Sequence, residues 1–182
     1  QELVATMTWR LRLRAPEIAQ TARPGQFTML QVREGNDPLL RRPFSFHGIH
    51  PSEGVIEILY RVVGRGTWLL SQLGPGASVS LVGPLGNSFE IESAGAGDVA
   101  IVAGGIGIAP LLPLIENLLG SRAGSRDQAS VHLFYGARSG GELLPADTLE
   151  REGLRVHWST DDGSFGHRGF VTQLLADAVG RG

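Results

Sequence analysis

The stretch Val99-Ala100-Ile101-Val102-Ala103-Gly104-Gly105-Ile106-Gly107-Ile108-Ala109-Pro110 decides the fold. Five consecutive apolar residues read as a strand buried on both faces, the pattern of a parallel sheet. A glycine-rich turn follows, and then Pro110, which suits the first position of a helix because the N–H it lacks has no helical partner there. The predicted helix runs from Pro110 to Leu119. Strand, glycine turn and helix in that order form the one context in which such a turn can cradle a nucleotide phosphate. The spacing is Gly-x-Gly-x-x-Pro, so the ordinary Gly-x-Gly-x-x-Gly fingerprint is not met and a plain tight turn stays open as the alternative.

The unit repeats downstream. Val131 to Tyr135 and Leu154 to Trp158 read as strands, followed by helices near Glu142 to Glu152 and at Val171 to Val179. Alternating strand and helix implies a parallel, nucleotide-binding type of sheet. Three units ending on a helix make a small sheet, and further strands are expected beyond residue 182.

Upstream the pattern is different. Thr8 to Arg14 puts Trp9, Leu11 and Leu13 on one side and charged residues on the other, a half-buried strand. Phe27 to Arg33, Arg42 to His47, Val55 to Val63 and Ser78 to Val82 are further strands, divided by Pro24-Gly25, Pro51-Ser52-Glu53-Gly54, Gly74-Pro75-Gly76 and Gly83-Pro84-Leu85-Gly86. Short strands at this spacing predict a closed antiparallel β-barrel. Two domains follow, a barrel over residues 1–94 and an incomplete α/β domain over 95–182.

Composition narrows the chemistry. The 182 residues contain no cysteine, which removes disulfides, thiolate metal sites, cysteine nucleophiles and thiolate-held iron–sulfur clusters from these residues. All sixteen basic residues are arginines, so neither a lysine Schiff base nor a P-loop lysine is available. The net charge of −2 gives no bulk basic surface for nucleic acid. The uncharged run from Val99 to Ile115 is too short and too broken by Gly and Pro to span a bilayer. With no secretory signal visible at the start, a cytoplasmic protein without a membrane span is expected.

Candidate site residues fall in four places. In Arg42-Pro43-Phe44-Ser45, Arg42 and Phe44 share one side of an extended chain, a guanidinium for a phosphate beside an aromatic face for a flat ring, with Ser45 able to bond a ring edge. A barrel strand with an exposed Arg and a core Phe is the plain alternative. Leu59-Tyr60-Arg61 leads into Gly64-Arg65-Gly66-Thr67, where glycines before a helix start expose N–H groups to an anion; an ordinary helix cap fits equally. The glycine turn from Gly104 is the third place. Thr160-Asp161-Asp162-Gly163-Ser164 and Gly136-Ala137-Arg138-Ser139 lie at the carboxyl edge of the predicted sheet, where ligands of open parallel sheets bind. Asx turns explain the paired aspartates without a metal. The five histidines show no metal-ligand spacing and read as structural or surface residues.

Taken in order, Pro24-Gly25-Gln26-Phe27, Arg41-Arg42-Pro43-Phe44-Ser45, Tyr60-Arg61-Val62-Val63-Gly64-Arg65-Gly66-Thr67, Gly83-Pro84-Leu85-Gly86-Asn87-Ser88-Phe89, the Gly104 to Pro110 turn and Thr160-Asp161-Asp162-Gly163-Ser164 resemble the ferredoxin-reductase-like superfamily. Within it, the chain is most similar to electron-transfer subunits of bacterial NAD-linked dihydroorotate dehydrogenases. The resemblance implies FAD held by Arg42, Pro43, Phe44 and Ser45, with Arg42 toward the pyrophosphate and Ser45, the one candidate for a catalytic residue, at the flavin edge. It implies Leu59, Tyr60 and Arg61 on the flavin and ribityl side, and Gly66 and Thr67 at the phosphates. NAD(H) is then expected at Gly104, Gly105, Gly107, Ala109, Pro110 and Asp161. It further implies a role in pyrimidine biosynthesis beside an FMN-containing dihydroorotate-oxidising subunit, in a heterotetramer, with electrons passing through FAD and a [2Fe-2S] cluster.

The family pattern continues with a Cys-Gly-Pro strand and four cluster-ligating cysteines, none of which occurs in these 182 residues. A truncated chain or one that has lost the cluster is therefore expected, with FAD still held and the nicotinamide site incomplete. Two other readings stay open at this point. One is a stand-alone or complex-associated NAD(P)H:flavin or ferredoxin oxidoreductase, such as a transhydrogenase or sulfide dehydrogenase small subunit. The other is a non-catalytic nucleotide-binding module.

Overall fold

Trp9, Leu11 and Leu13 alternate along one strand, and that alternation turns one face of an antiparallel sheet into a core. The computed structural model describes residues 1–33, 35, 37–90, 97–122 and 130–180. Strands β1 (Glu2–Ala5), β2 (Thr8–Arg14), β3 (Phe27–Gln31), β4 (Arg42–His50), β5 (Val55–Arg61) and β6 (Ser80–Leu85) form one antiparallel sheet in the order β1-β2-β5-β4-β3-β6. β1 and β6 share no ladder among the described residues, so pairing leaves that seam open. Leu11, Leu30, Ile58, Tyr60 and Leu70 are buried inside, the last contributed by helix α2 (Arg65–Ser71). Helix α1 (Pro16–Thr21) begins on a proline and buries Ala19 against Phe46 and Ile56. The sequence reading placed no element at β1 or α1. Both are too short to display a period.

The second half is a parallel sheet of β7 (Val99–Gly104), β8 (Val131–Ala137), β9 (Leu154–Thr160) and the two-residue β10 (His167–Arg168), in the order β10-β9-β8-β7. Ile101, Ala103, Val131, Leu133 and Tyr135 face helix α3 (Leu111–Arg122), which buries Leu112, Ile115 and Leu118 against them. Each fully buried Leu or Ile contributes roughly 1.5–3 kcal/mol. From the other face, helix α4 (Val171–Val179) approaches with no residue fully buried, and Ala100 and Val102 of β7 are exposed. The expectation of a strand buried on both faces is thus corrected. Among the described residues β7 pairs with β8 alone, and its apolar run alternates between core and surface like any half-covered strand.

The helix expected near Glu142 to Glu152 is also corrected. Two 3-10 turns, Gly140–Glu142 and Ala146–Leu149, stand in its place. Pro145 is the fourth of the eleven residues of the expected helix, where it lacks the N–H that a continuing helix uses and its ring crowds the preceding turn. Strand β2 and helix α4 match the sequence reading residue for residue. The domain boundary expected at residues 94 and 95 lies outside the described residues. The two halves are tied directly. Leu59 of β5 is buried within the hydrophobic cluster of the α/β half, and Thr6 N–H donates to the Gly141 carbonyl at 2.8 Å.

Candidate functional site

The carboxyl ends of β7, β8 and β9 open onto a cleft of about 780 Å3 whose other wall is the barrel. Gly104, Gly105, Ile106, Gly136, Arg138 and Asp161 line the sheet side, and Met7, Arg61, Val62 and Val63 line the barrel side. Ligands of open parallel sheets bind beyond this strand edge. Gly105 has φ +49° with open space where a Cβ would point, so the turn exposes main chain to the cleft.

One ion pair bridges the two walls. Arg61 at the end of β5 donates from both terminal nitrogens to Glu142, at 3.0 and 2.9 Å. The guanidinium holds the Glu142 carboxyl below the usual carboxylate range, and the carboxylate raises Arg61 in turn. Glu142 had no place in the sequence reading. It lies 81 residues from its partner, and no period or spacing links the two.

Several of the expected flavin residues converge on the barrel surface. Arg42 lies across the start of α2, and a Cβ on Gly66 would come within 2.6 Å of its Cζ. Arg42 also donates to the Leu40 carbonyl. Two segments far apart in sequence, each selected for phosphate chemistry, therefore meet through a contact that only glycine permits. Thr67 Oγ1 accepts N–H bonds from Val63 and Gly64 and donates to the Gly64 carbonyl, so this hydroxyl closes the turn before α2.

The remaining expected residues divide by burial. Phe44 is half-buried and meets Tyr60 edge-on, with ring centroids 6.0 Å apart. Tyr60 is buried, its hydroxyl bonded to Gln1 at 2.8 Å, and burial raises its pKa well above the ordinary tyrosine value. Leu59 points into the second domain's core. Pro43 is exposed and Ser45 half-buried opposite Phe27. Gly104, Gly105 and Asp161 line the cleft, whereas Gly107, Ala109 and Pro110 stand outside its lining. The Asp161 main chain is fixed by its N–H to the Ala137 carbonyl at 3.1 Å. Asp162 accepts bonds from the Ser164 N–H and hydroxyl, the expected Asx turn, and these bonds lower its pKa.

An antiparallel six-stranded sheet beside a parallel sheet, with a cleft at the parallel strands' carboxyl ends, defines the ferredoxin-reductase-like class of oxidoreductase components. The solved structure of an NADH-dependent reduced ferredoxin-NADP oxidoreductase superposes with a TM-score of 0.83 at 30% identity, covering 98% of this chain and 60% of that one. An Amycolatopsis cytochrome P450 reductase shares the fold at a TM-score of 0.78 and 23% identity, over 98% of this chain and 55% of that one.

Curated relatives narrow the class. The electron transfer subunit of dihydroorotate dehydrogenase B (NAD(+)) from Desulforamulus reducens is 43% identical over 173 residues, 95% of this chain and 63% of that protein. The subunit of the same name from Enterococcus faecalis strain V583 is 36% identical over 183 residues, 100% of this chain and 66% of that protein. No family model matches the chain. The chain belongs to the family of dihydroorotate dehydrogenase B electron transfer subunits, and it spans 63% and 66% of the length of these two relatives.

Proposed function

We propose that this chain is the FAD- and NAD(H)-binding part of an electron-transfer subunit, passing electrons between NAD and a partner flavoprotein that oxidises dihydroorotate. The observation that carries the reading is the meeting of Arg42 with Gly66 on the barrel, beside a cleft whose far wall is the Gly104 turn. FAD fits this chemistry. A guanidinium held against a helix start, where a glycine lets it approach the main chain, suits a pyrophosphate. Arg42, Gly66 and the main chain of Thr67 would hold the phosphates, while Phe44, Ser45 and Arg61 would border the ring and ribityl chain, with buried Tyr60 backing Phe44 edge-on. When bound, FAD supplies the change between two-electron hydride transfer and single-electron transfer.

The chain's own residues orient and exclude. The Gly104-Gly105 main chain would receive the dinucleotide, with Arg138 and Asp161 at the same strand edge. Arg61 and Glu142 hold the two walls at a fixed spacing, which hydride transfer demands because reacting atoms must approach to about 3–3.5 Å. A [2Fe-2S] cluster does not fit these residues, since no thiolate is present to hold it. The relatives' subunit name supports a partner dihydroorotate dehydrogenase subunit; FMN in that partner, a heterotetramer and a cytoplasmic location complete the same proposal.

The 0.83 superposition on an NADH-dependent ferredoxin-NADP oxidoreductase favours a second reading, a subunit of another NAD(P)H-linked complex. Copurification separates the two. Under the first, the chain brings down a flavoprotein that oxidises dihydroorotate; recovery of a different oxidoreductase contradicts it.

A further inference from the structure

β4 runs along the barrel with a defect at one place. Phe46 pairs with Ile58 and Gly48 pairs with Glu57, so one residue, His47, is extra. Such a β-bulge interrupts alternation and re-aims a side chain. Here Phe46 stays in the barrel core while His47 leaves it, is only 3% exposed, and reaches the other domain. Its Nδ1 lies 3.2 Å from the Ala109 carbonyl oxygen. A carbonyl only accepts, so Nδ1 carries the hydrogen.

The Ala109 carbonyl needs that donor. Four residues on, where a helix would supply the N–H, the sequence has Pro113, which has none. Ala109 is 5% exposed, so an unpaired carbonyl would cost about 1–3 kcal/mol. The bulge in one domain and the proline in the other are thus complementary halves of a single hydrogen bond.

We propose that His47 is a positioning residue of the electron-transfer site, fixing the Gly104 to Pro110 turn against the strand that carries Arg42, Phe44 and Ser45. The role rests on the function proposed above. A single strand then sets both partners: its start carries Arg42 and Phe44 on one side for the flavin, and its bulge holds the turn that receives the nicotinamide. His47 shares a cavity of about 170 Å3 with Arg10 and Glu57 from the barrel strands, His50 of its own strand, Glu116 of α3 and Arg151. Burial lowers its pKa, outweighing the Ala109 hydrogen bond and Glu57, which raise it, so the neutral ring is favoured beside the carbonyl.

The test uses the full chain and three variants, His47→Leu, His47→Asn and Pro113→Ala. Asparagine can place an amide donor near the Nδ1 position, and leucine cannot. Hydrogen exchange without any cofactor reads the tie: residues 105–112 should exchange faster in His47→Leu than in wild type, with His47→Asn close to wild type. With FAD bound, His47→Leu should retain the flavin, lower the rate of flavin reduction by NADH about tenfold or more, and weaken the nicotinamide–flavin charge-transfer band. Pro113→Ala, which restores a helical donor, should shrink the effect of His47→Leu when the two substitutions are combined in a fourth variant. Unchanged exchange and reduction in His47→Leu would overturn the role while leaving the functional reading intact. Loss in His47→Asn equal to that in His47→Leu would overturn it as well. A wild-type chain that binds no FAD removes the functional reading and the positioning role together.

Discussion

Arg61, the last residue of β5, and Glu142, which ends the 3-10 turn after β8, form a two-pronged ion pair across the cleft. Thr6 to Gly141 and His47 to Ala109 are further polar ties between the halves. Both side chains are mostly shielded, at 28% and 16% exposure, which sets the pair apart from the freely exposed pairs of the barrel surface such as Arg12 with Glu53.

Removing either partner should loosen the halves. A double-mutant cycle with Arg61→Ala and Glu142→Gln is expected to give a coupling of about 1 kcal/mol. For a chain of this size that corresponds to a Tm decrease of about 2–4 °C, measured by calorimetry at low salt. Raising the ionic strength should reduce the coupling. A coupling of zero would remove the pair from the account of the interface.

Leu59 is the apolar counterpart of that ion pair. It is 4% exposed and packs within the cluster formed by Ile101, Ile108 and Leu144. Leu59→Ala should cost about 2–5 kcal/mol in denaturant unfolding. A cost below 1 kcal/mol would mean that the barrel and the sheet do not share a core at this point.

Acid should destabilise the fold through two histidines. His47 and His157 both have pKa values lowered, chiefly by burial, from the ordinary 6.5. The unfolded chain therefore binds protons first as pH falls below about 6.5. Stability is full above that value and declines toward the lowered folded values. For His157, packed on Phe134 at 4.5 Å between ring centroids, burial is the main cause, with the neighbouring His132 and Arg155 adding to it. Thermal unfolding at pH 7 and pH 5 should give a smaller Tm difference in the His157→Phe variant than in wild type.

The barrel strands, the parallel units and the glycine turns were legible because each is local: alternation in β2, an apolar run in β7, glycines before α2. The reading went wrong where a neighbour outweighed the local pattern. Pro145 broke an otherwise helical composition, and α4 leaves one face of β7 incompletely covered. The cleft-spanning contacts were not legible at all. Arg61 with Glu142 and His47 with Ala109 join residues 81 and 62 apart, and their pairing depends on how two separate cores dock. His47 read as a structural histidine, and the bulge that re-aims it leaves no mark in the sequence.

Gly66→Ala isolates the clamp between Arg42 and α2 without removing a charge. The added Cβ would displace the Arg42 guanidinium, while glycine to alanine within a helix otherwise favours folding. Equilibrium titration of the purified chain with FAD, followed by flavin fluorescence, is the decisive measurement. Wild type should bind one FAD, and Arg42→Ala and Gly66→Ala should each weaken binding about tenfold or more, with little further loss when combined. A wild-type chain that takes up no FAD, or one that binds it equally well with either substitution, would contradict the assignment of this barrel surface to the flavin.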